Sequence, residues 1–294
     1  MLNLFGRPAV LFLPASRAGA IAKARASAAD VIFLDLEDAV APELKAEARG
    51  AAVAAVAEPF GVPAAIRVNG ATSEWFEADC AAVRQSSADL VIVPRVEGPE
   101  LIRDVAARTS KPVAAMIETP AGVRHCWEVA EVAAALIAGT NDLSATLRLP
   151  AGAGRAPLRT ALQLIVLAAR AAGKPCFDGV FNRLEDAEGL AAEAAEGRLF
   201  GFDGKTLIHP DQIAACKAAW APTEAEIARA RRLIAAAGGG AQRFEGEMIE
   251  RMHVEAAERL LGLQGTCRIA LQRPSARMAD FPTSNDIPLG LTFD

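Results

Sequence analysis

Eight short strand candidates, most of them apolar and alternating with helical stretches, constrain this chain more than any other feature. They span residues 9–13, 31–34, 63–68, 90–93, 113–117, 133–138, 175–181 and 204–208. The runs 113–117 and 133–138 have the length and flanks of strands buried on both faces, as in a parallel sheet, and the others are strand candidates beside them. Strand and helix alternating eight times is the pattern of a TIM (β/α)8 barrel. A doubly wound sheet also alternates, but it usually has fewer strands and a glycine-rich first turn. Here that turn reads Pro14-Ala15-Ser16-Arg17. GxSxG, HExxH and Walker motifs are absent, and Gly152-Ala153-Gly154 does not follow a strand.

The barrel pattern covers residues 1–220. A helical segment over 221–264 follows, with Thr223 and Glu226 at capping-box spacing, a break at Gly238-Gly239-Gly240, a brief extended piece over 244–248 and a helix over 250–261. Residues 265–294 have little periodicity and are expected to form an extended tail.

In a parallel barrel, chemistry sits where the strands end. The residues there are Asp35, Glu37, Asp38, Arg67, Asn69, Arg95, Glu118, Asn141, Asp142 and His209. Glu118 and Asp142 close adjoining runs, so together they suit a hard divalent cation such as Mg²⁺; equally, each is placed to cap the helix that follows. Arg67 is suited to a substrate carboxylate or to an ion pair with Glu37 or Asp38. Lys23, Lys45 and Arg49 lie near the same end, placed for phosphate or for a solvated ionic face. His209 is expected to shape the last turn, and Trp75, Trp127 and Trp220 to pack within helices.

The net charge of −5 leaves no electrostatic footprint for nucleic acid. Five scattered cysteines without CxxC spacing fit reduced thiols in the cytoplasm. No signal-peptide pattern or uncharged membrane-spanning run is present, so a cytoplasmic protein is expected.

The combined motifs LFLPxxR, DLEDAV, RVN, IETxxGV, GTNDL and GFDGKxxIHP resemble those of the citrate lyase β-subunit-like (CitE-like) proteins of the HpcH/HpaI aldolase superfamily, which includes malyl-CoA and citramalyl-CoA lyases. The resemblance spans about residues 7–261. It implies a TIM barrel with a C-terminal helical lid, a homotrimer or hexamer, and Mg²⁺-dependent C–C lyase chemistry between a 2-oxo acid and an acyl-CoA thioester. By the same resemblance Glu118 and Asp142 are the metal ligands, with Glu118 also bordering the substrate. Arg67 binds the oxo acid, and Glu37 and Asp38 support it and the metal's water. Lys23, Lys45 and Arg49 lie toward the CoA phosphates. The family's lid motif G-K-M-x-D-x-P reads here Gly246-Glu247-Met248-Ile249-Glu250-Arg251-Met252, which puts Glu250 in the place of an acid–base aspartate reaching a neighbouring subunit's site. Ala15 and Arg95 stand where the family commonly has Gly and Lys. The alternatives are a citrate lyase β subunit acting on citryl-acyl carrier protein, and a catalytically weakened barrel that binds Mg²⁺ and a 2-oxo acid.

Overall fold

The computed structural model describes residues 2–238 and 240–262. The chain divides into two compact units, Met1–Ala221 and Pro222–Asp294. In the first, β1 (Ala9–Pro14), β2 (Val31–Asp35), β3 (Ala64–Arg67), β4 (Leu90–Val93), β5 (Val113–Ile117), β6 (Ala135–Ala138), β7 (Cys176–Asp178) and β8 (Gly204–Leu207) pair in sequence order, all parallel. β8 pairs back onto β1, so the sheet closes into a barrel. This is the expected TIM barrel.

Alternation along each strand builds two cores. Val10, Phe12, Phe33, Ile92, Ile137 and Phe177 belong to one apolar cluster, with Phe12 and Phe33 meeting edge to face at 4.9 Å. Their neighbours Leu11, Leu13, Ile32, Leu34, Val91 and Leu136 belong to the other, which takes in residues of the surrounding helices. Both faces of β1, β2, β4, β5 and β6 are therefore largely dry, which is why those runs read as apolar; β7 and β8 bury Asp178, Lys205 and Thr206 instead.

Some strands are shorter than their apolar runs. β7 keeps three residues, Cys176–Asp178, of the expected 175–181. A side chain at Gly179, just after it, would meet Ala138 O at 2.9 Å, so glycine lets the chain lie close to the end of β6.

The second unit holds a helix, Glu224–Ala236, with the expected Thr223–Glu226 capping box. The extended piece expected over 244–248 is an antiparallel hairpin, β9 (Gln242–Phe244) with β10 (Glu247–Ile249), turning through Glu245 and Gly246 at positive φ. Helix Arg251–Leu260 follows. Ala230, Leu233, Ile249 and Ala257 make its small core. The tail expected over 265–294 lies outside the described residues. Among the described residues, no helix is long and apolar enough to cross a membrane.

Candidate active site

A cavity of about 430 Å³ opens at the C-terminal ends of the strands. Asp35, Asp38, Arg67, Glu118, Asn141 and Asp142 are among its walls.

Glu118 follows β5 and is 2% exposed. The next helix, Pro120–Arg124, is capped by Thr119, whose Oγ1 accepts the Gly122 N–H at 3.0 Å. The Glu118 carboxylate is thus not spent on capping. Its Oε1 accepts the Arg95 N–H at 2.6 Å, and Arg95 takes a left-handed backbone (φ 51°) to donate it. On the other flank Glu118 presses on Gly139, where any side chain would overlap its Cβ and Oε2. Burial raises the Glu118 pKa to about 7; the Arg95 N–H opposes the rise and the charge of Asp142 adds to it. Asp142 lies in the first turn of helix Thr140–Thr146, where no side-chain cap forms. Its Oδ2 is 3.7 Å from Arg95 Nη1, and it is partly exposed.

Arg67, at the end of β3, is held by an aspartate to which the sequence reading gave no role. Asp35 stands directly across in register, at the end of β2. Its Oδ1 and Oδ2 accept Arg67 Nε at 2.6 Å and Nη2 at 2.7 Å. Asp35 also accepts the N–H groups of Glu37 and Ala39, which shapes the loop carrying Glu37 and Asp38. Burial works against ionisation of Asp35, but Arg67 and those donors outweigh it and hold the pKa below the usual value. Arg67 Nη1 lies 2.8 Å from Glu37 Oε2 and 3.6 Å from Asp38 Oδ2. The contact with Glu37 lacks hydrogen-bond alignment, so Glu37 Oε2 is buried without a hydrogen-bond partner. Burial, opposed by Arg67 and assisted by Asp38, Glu118 and Asp35, raises the Glu37 pKa to about 8. Asp35 takes two of the five guanidinium N–H groups, which leaves donors for an anion.

The remaining candidates are elsewhere. Lys23 is exposed and does not border the cavity. Lys45 and Arg49 do not border it either; both spend their charge inside the protein. His209 accepts the Asp211 N–H at 3.3 Å, which fits a turn-shaping role. Glu250, in the second unit, is the N-cap of helix Arg251–Leu260; its N–H donates to His253 Nδ1 at 2.9 Å and its main-chain carbonyl accepts the His253 N–H. The structure also adds Asn182 to the cavity wall: its Nδ2 donates to Asn141 Oδ1 at 2.7 Å, joining the loops after β6 and β7.

Glu118 and Asp142 are the oxygen donors suited to a hard cation. Among the described residues no group of three or more candidate ligands forms, so most coordination positions would fall to water or substrate, as Mg²⁺ prefers. A buried glutamate with a raised pKa, not hydrogen-bonded to any cationic side chain, fits a cation bound beside it.

Fold and site together define a TIM-barrel protein whose polar chemistry is gathered at one mouth. The chain belongs to the HpcH/HpaI aldolase/citrate lyase family, whose model matches residues 8–210. It is 39% identical over 266 residues to a (3S)-malyl-CoA thioesterase of Cereibacter sphaeroides, covering 86% of this chain and 92% of that protein. It is 37% identical over 272 residues to a citrate lyase subunit beta-like protein of Deinococcus radiodurans, covering 86% and 95%. In structure it is similar to Mycobacterium tuberculosis CitE in complex with magnesium, acetoacetate and coenzyme A. That match has a TM-score of 0.79 and 34% identity, covering 88% of this chain and 98% of CitE.

Proposed function

We propose that this protein is a Mg²⁺-dependent C–C lyase that cleaves or forms a short 3-hydroxyacyl-CoA such as malyl-CoA or citramalyl-CoA, acting in the cytoplasm as a homotrimer or hexamer. The observation that carries this reading is the meeting of Glu118, Asp142 and Arg67 on one cavity at the strand ends. The magnesium complexes of the CitE relative support it.

Glu118 and Asp142 would hold the metal. Bound Mg²⁺ would supply Lewis acidity toward the hydroxyl and carboxylate oxygens of the substrate. Arg67, fixed on one edge by Asp35, would donate from its remaining N–H groups to the oxo-acid carboxylate. Glu37, with one oxygen lacking a hydrogen bond, and Asp38 would hold ordered water and keep Arg67 in place. In cleavage the 3-hydroxyl would pass its proton to water held at Glu37 and Asp38, its oxygen would become the carbonyl oxygen of the oxo acid, and the C2–C3 bond would break. Its electron pair passes into the thioester enolate, and C2 then takes up a proton. Glu250 from a neighbouring copy of the chain would carry that proton. Lys23, exposed in the last turn of helix Ala18–Arg25, would be the residue offered to a CoA phosphate.

A second reading is favoured by one observation, the 39% identity to a malyl-CoA thioesterase: the same pocket would direct water to the thioester carbonyl. The products separate the two. With (3S)-malyl-CoA and Mg²⁺, a lyase yields glyoxylate and acetyl-CoA, and a thioesterase yields malate and free CoA thiol. Turnover by the purified chain alone excludes a need for the other subunits of a citrate lyase. Binding of Mg²⁺ and a 2-oxo acid without turnover of any thioester refutes both readings and leaves a weakened barrel.

A further inference from the structure

Lys45 and Arg49, which the family resemblance sets toward the CoA phosphates, point to a different task. Both lie on helix Lys45–Ala57, one turn apart and therefore on one face. Lys45 is only 5% exposed. Its Nζ donates to Leu36 O at 2.7 Å and Glu37 O at 2.6 Å, and sits 5.2 Å from the ring centroid of Trp75. Arg49 Nε donates to Asp79 Oδ1 at 2.6 Å. Asp79 is fully buried, and its Oδ2 accepts both the Asn69 N–H at 2.9 Å and Asn69 Nδ2 at 2.6 Å.

Trp75 and Asp79 are again one turn apart, at the start of helix Phe76–Gln85. Two pairs of side chains from successive helices thus end on two loops. One loop is the main chain at residues 36 and 37, just after β2. The other is Asn69, two residues beyond Arg67. A desolvated ammonium hydrogen-bonded to two main-chain carbonyls has little to offer a phosphate; it fixes backbone.

We infer that Lys45 is a positioning residue: through the carbonyls of Leu36 and Glu37 it sets where the Glu37 carboxylate stands against Arg67, while Arg49, Asp79 and Asn69 anchor the strand end that carries Arg67. The loss of Lys45 therefore damages recognition of the 2-oxo acid and leaves the proposed metal ligands in place, Glu118 just after β5 and Asp142 in helix Thr140–Thr146. The oxo-acid part of this inference rests on the proposed function; the clamp itself does not.

The test uses the full chain with Lys45→Met, Lys45→Gln and Lys45→Arg. Hydrogen exchange of the peptide containing residues 36–40 should accelerate about tenfold or more in the Met and Gln variants, as the two carbonyls lose a charged donor. The Arg variant, which keeps a cationic donor, should restore much of the protection. Glyoxylate or oxaloacetate binding with Mg²⁺ present should weaken by about 10-fold or more in the Met and Gln variants, the size seen when an outer partner of a site is removed. Mn²⁺ affinity should stay within about twofold, since neither metal ligand is touched. Glyoxylate and oxaloacetate carry no phosphate, so a lysine that binds CoA phosphate would leave their affinity unchanged and raise only the KM for the CoA ester; that result overturns the inference. Unchanged exchange at 36–40 also overturns it. A wild-type protein that binds no 2-oxo acid refutes the proposed function, and the exchange measurement still decides the clamp.

Discussion

Gly139→Ala is the smallest change that should disable this site. Gly139 has φ −96°, a value open to any residue, so alanine there brings no backbone strain. Its cost is steric. A Cβ at that position overlaps the Cβ and Oε2 of Glu118 and lies 3.1 Å from its Cδ. A clash with Cβ cannot be relieved by turning the carboxylate alone, so the end of β5 or the start of helix Thr140–Thr146 must shift. Overpacking of this kind costs about 1–3 kcal/mol of stability. Restoring van der Waals separation moves the carboxylate by roughly 1 Å, and a displacement of that size costs on the order of 100-fold in turnover. Mg²⁺ demands oxygen ligands at about 2.0–2.1 Å in near-octahedral geometry, so the shift should also release it. Mn²⁺ titration by calorimetry, with urea unfolding of the same sample, separates the two effects. The expectation is Mn²⁺ affinity down by at least about tenfold, following the usual penalty for disturbing a metal site, in a protein that remains folded. Wild-type Mn²⁺ affinity in a folded Gly139→Ala protein would refute the reasoning.

Other expectations follow from the same geometry. Asp35→Asn leaves Arg67 buried with its two-point partner gone, and should cost roughly 3–5 kcal/mol in urea unfolding, toward the lower end because Glu37 and Asp38 remain. The Asp35 pKa is lowered from 3.8 in the folded protein, so its stabilising contribution is complete above that value and is lost as pH falls through the lower folded pKa. Stability measured below about pH 4 should therefore fall more steeply in the wild type than in Asp35→Asn. Glu118→Gln keeps the acceptor for the Arg95 N–H and should preserve the fold while abolishing metal-dependent turnover; turnover at the wild-type rate would remove Glu118 from the mechanism. Cys80, Cys126, Cys176 and Cys216 are buried, and burial raises each thiol above its ordinary pKa. Peptide mapping after treatment of the native protein with a thiol reagent at pH 8 should find these four unlabelled; rapid labelling of any one would contradict its burial.

The barrel was legible because parallel strands covered on both sides must be apolar throughout, and runs such as Val113–Ile117 admit few other placements. The strand-end acids were legible for a related reason: a carboxylate directly after such a run marks where the apolar strand ends. The partner of Arg67 was not. Asp35 faces Arg67 only because residues 35 and 67 share a register between β2 and β3, and register belongs to the closed sheet rather than to either strand. Gly139 was hidden likewise, since its need to be glycine comes from Glu118 on the neighbouring strand. Lys45 and Arg49 show the limit of reading charge along a helix. At that spacing a solvated face and an inward clamp look alike, and only the carbonyls of residues 36 and 37 and the Asp79 carboxylate tell them apart.

The most direct test is anomalous diffraction from crystals soaked with Mn²⁺ and a 2-oxo acid. The account predicts one strong peak in the barrel mouth, about 2.0–2.2 Å from oxygens of Glu118 and Asp142, with the acid chelating it beside Arg67. A peak bound to other residues, or none at these two carboxylates at saturating Mn²⁺, would contradict it.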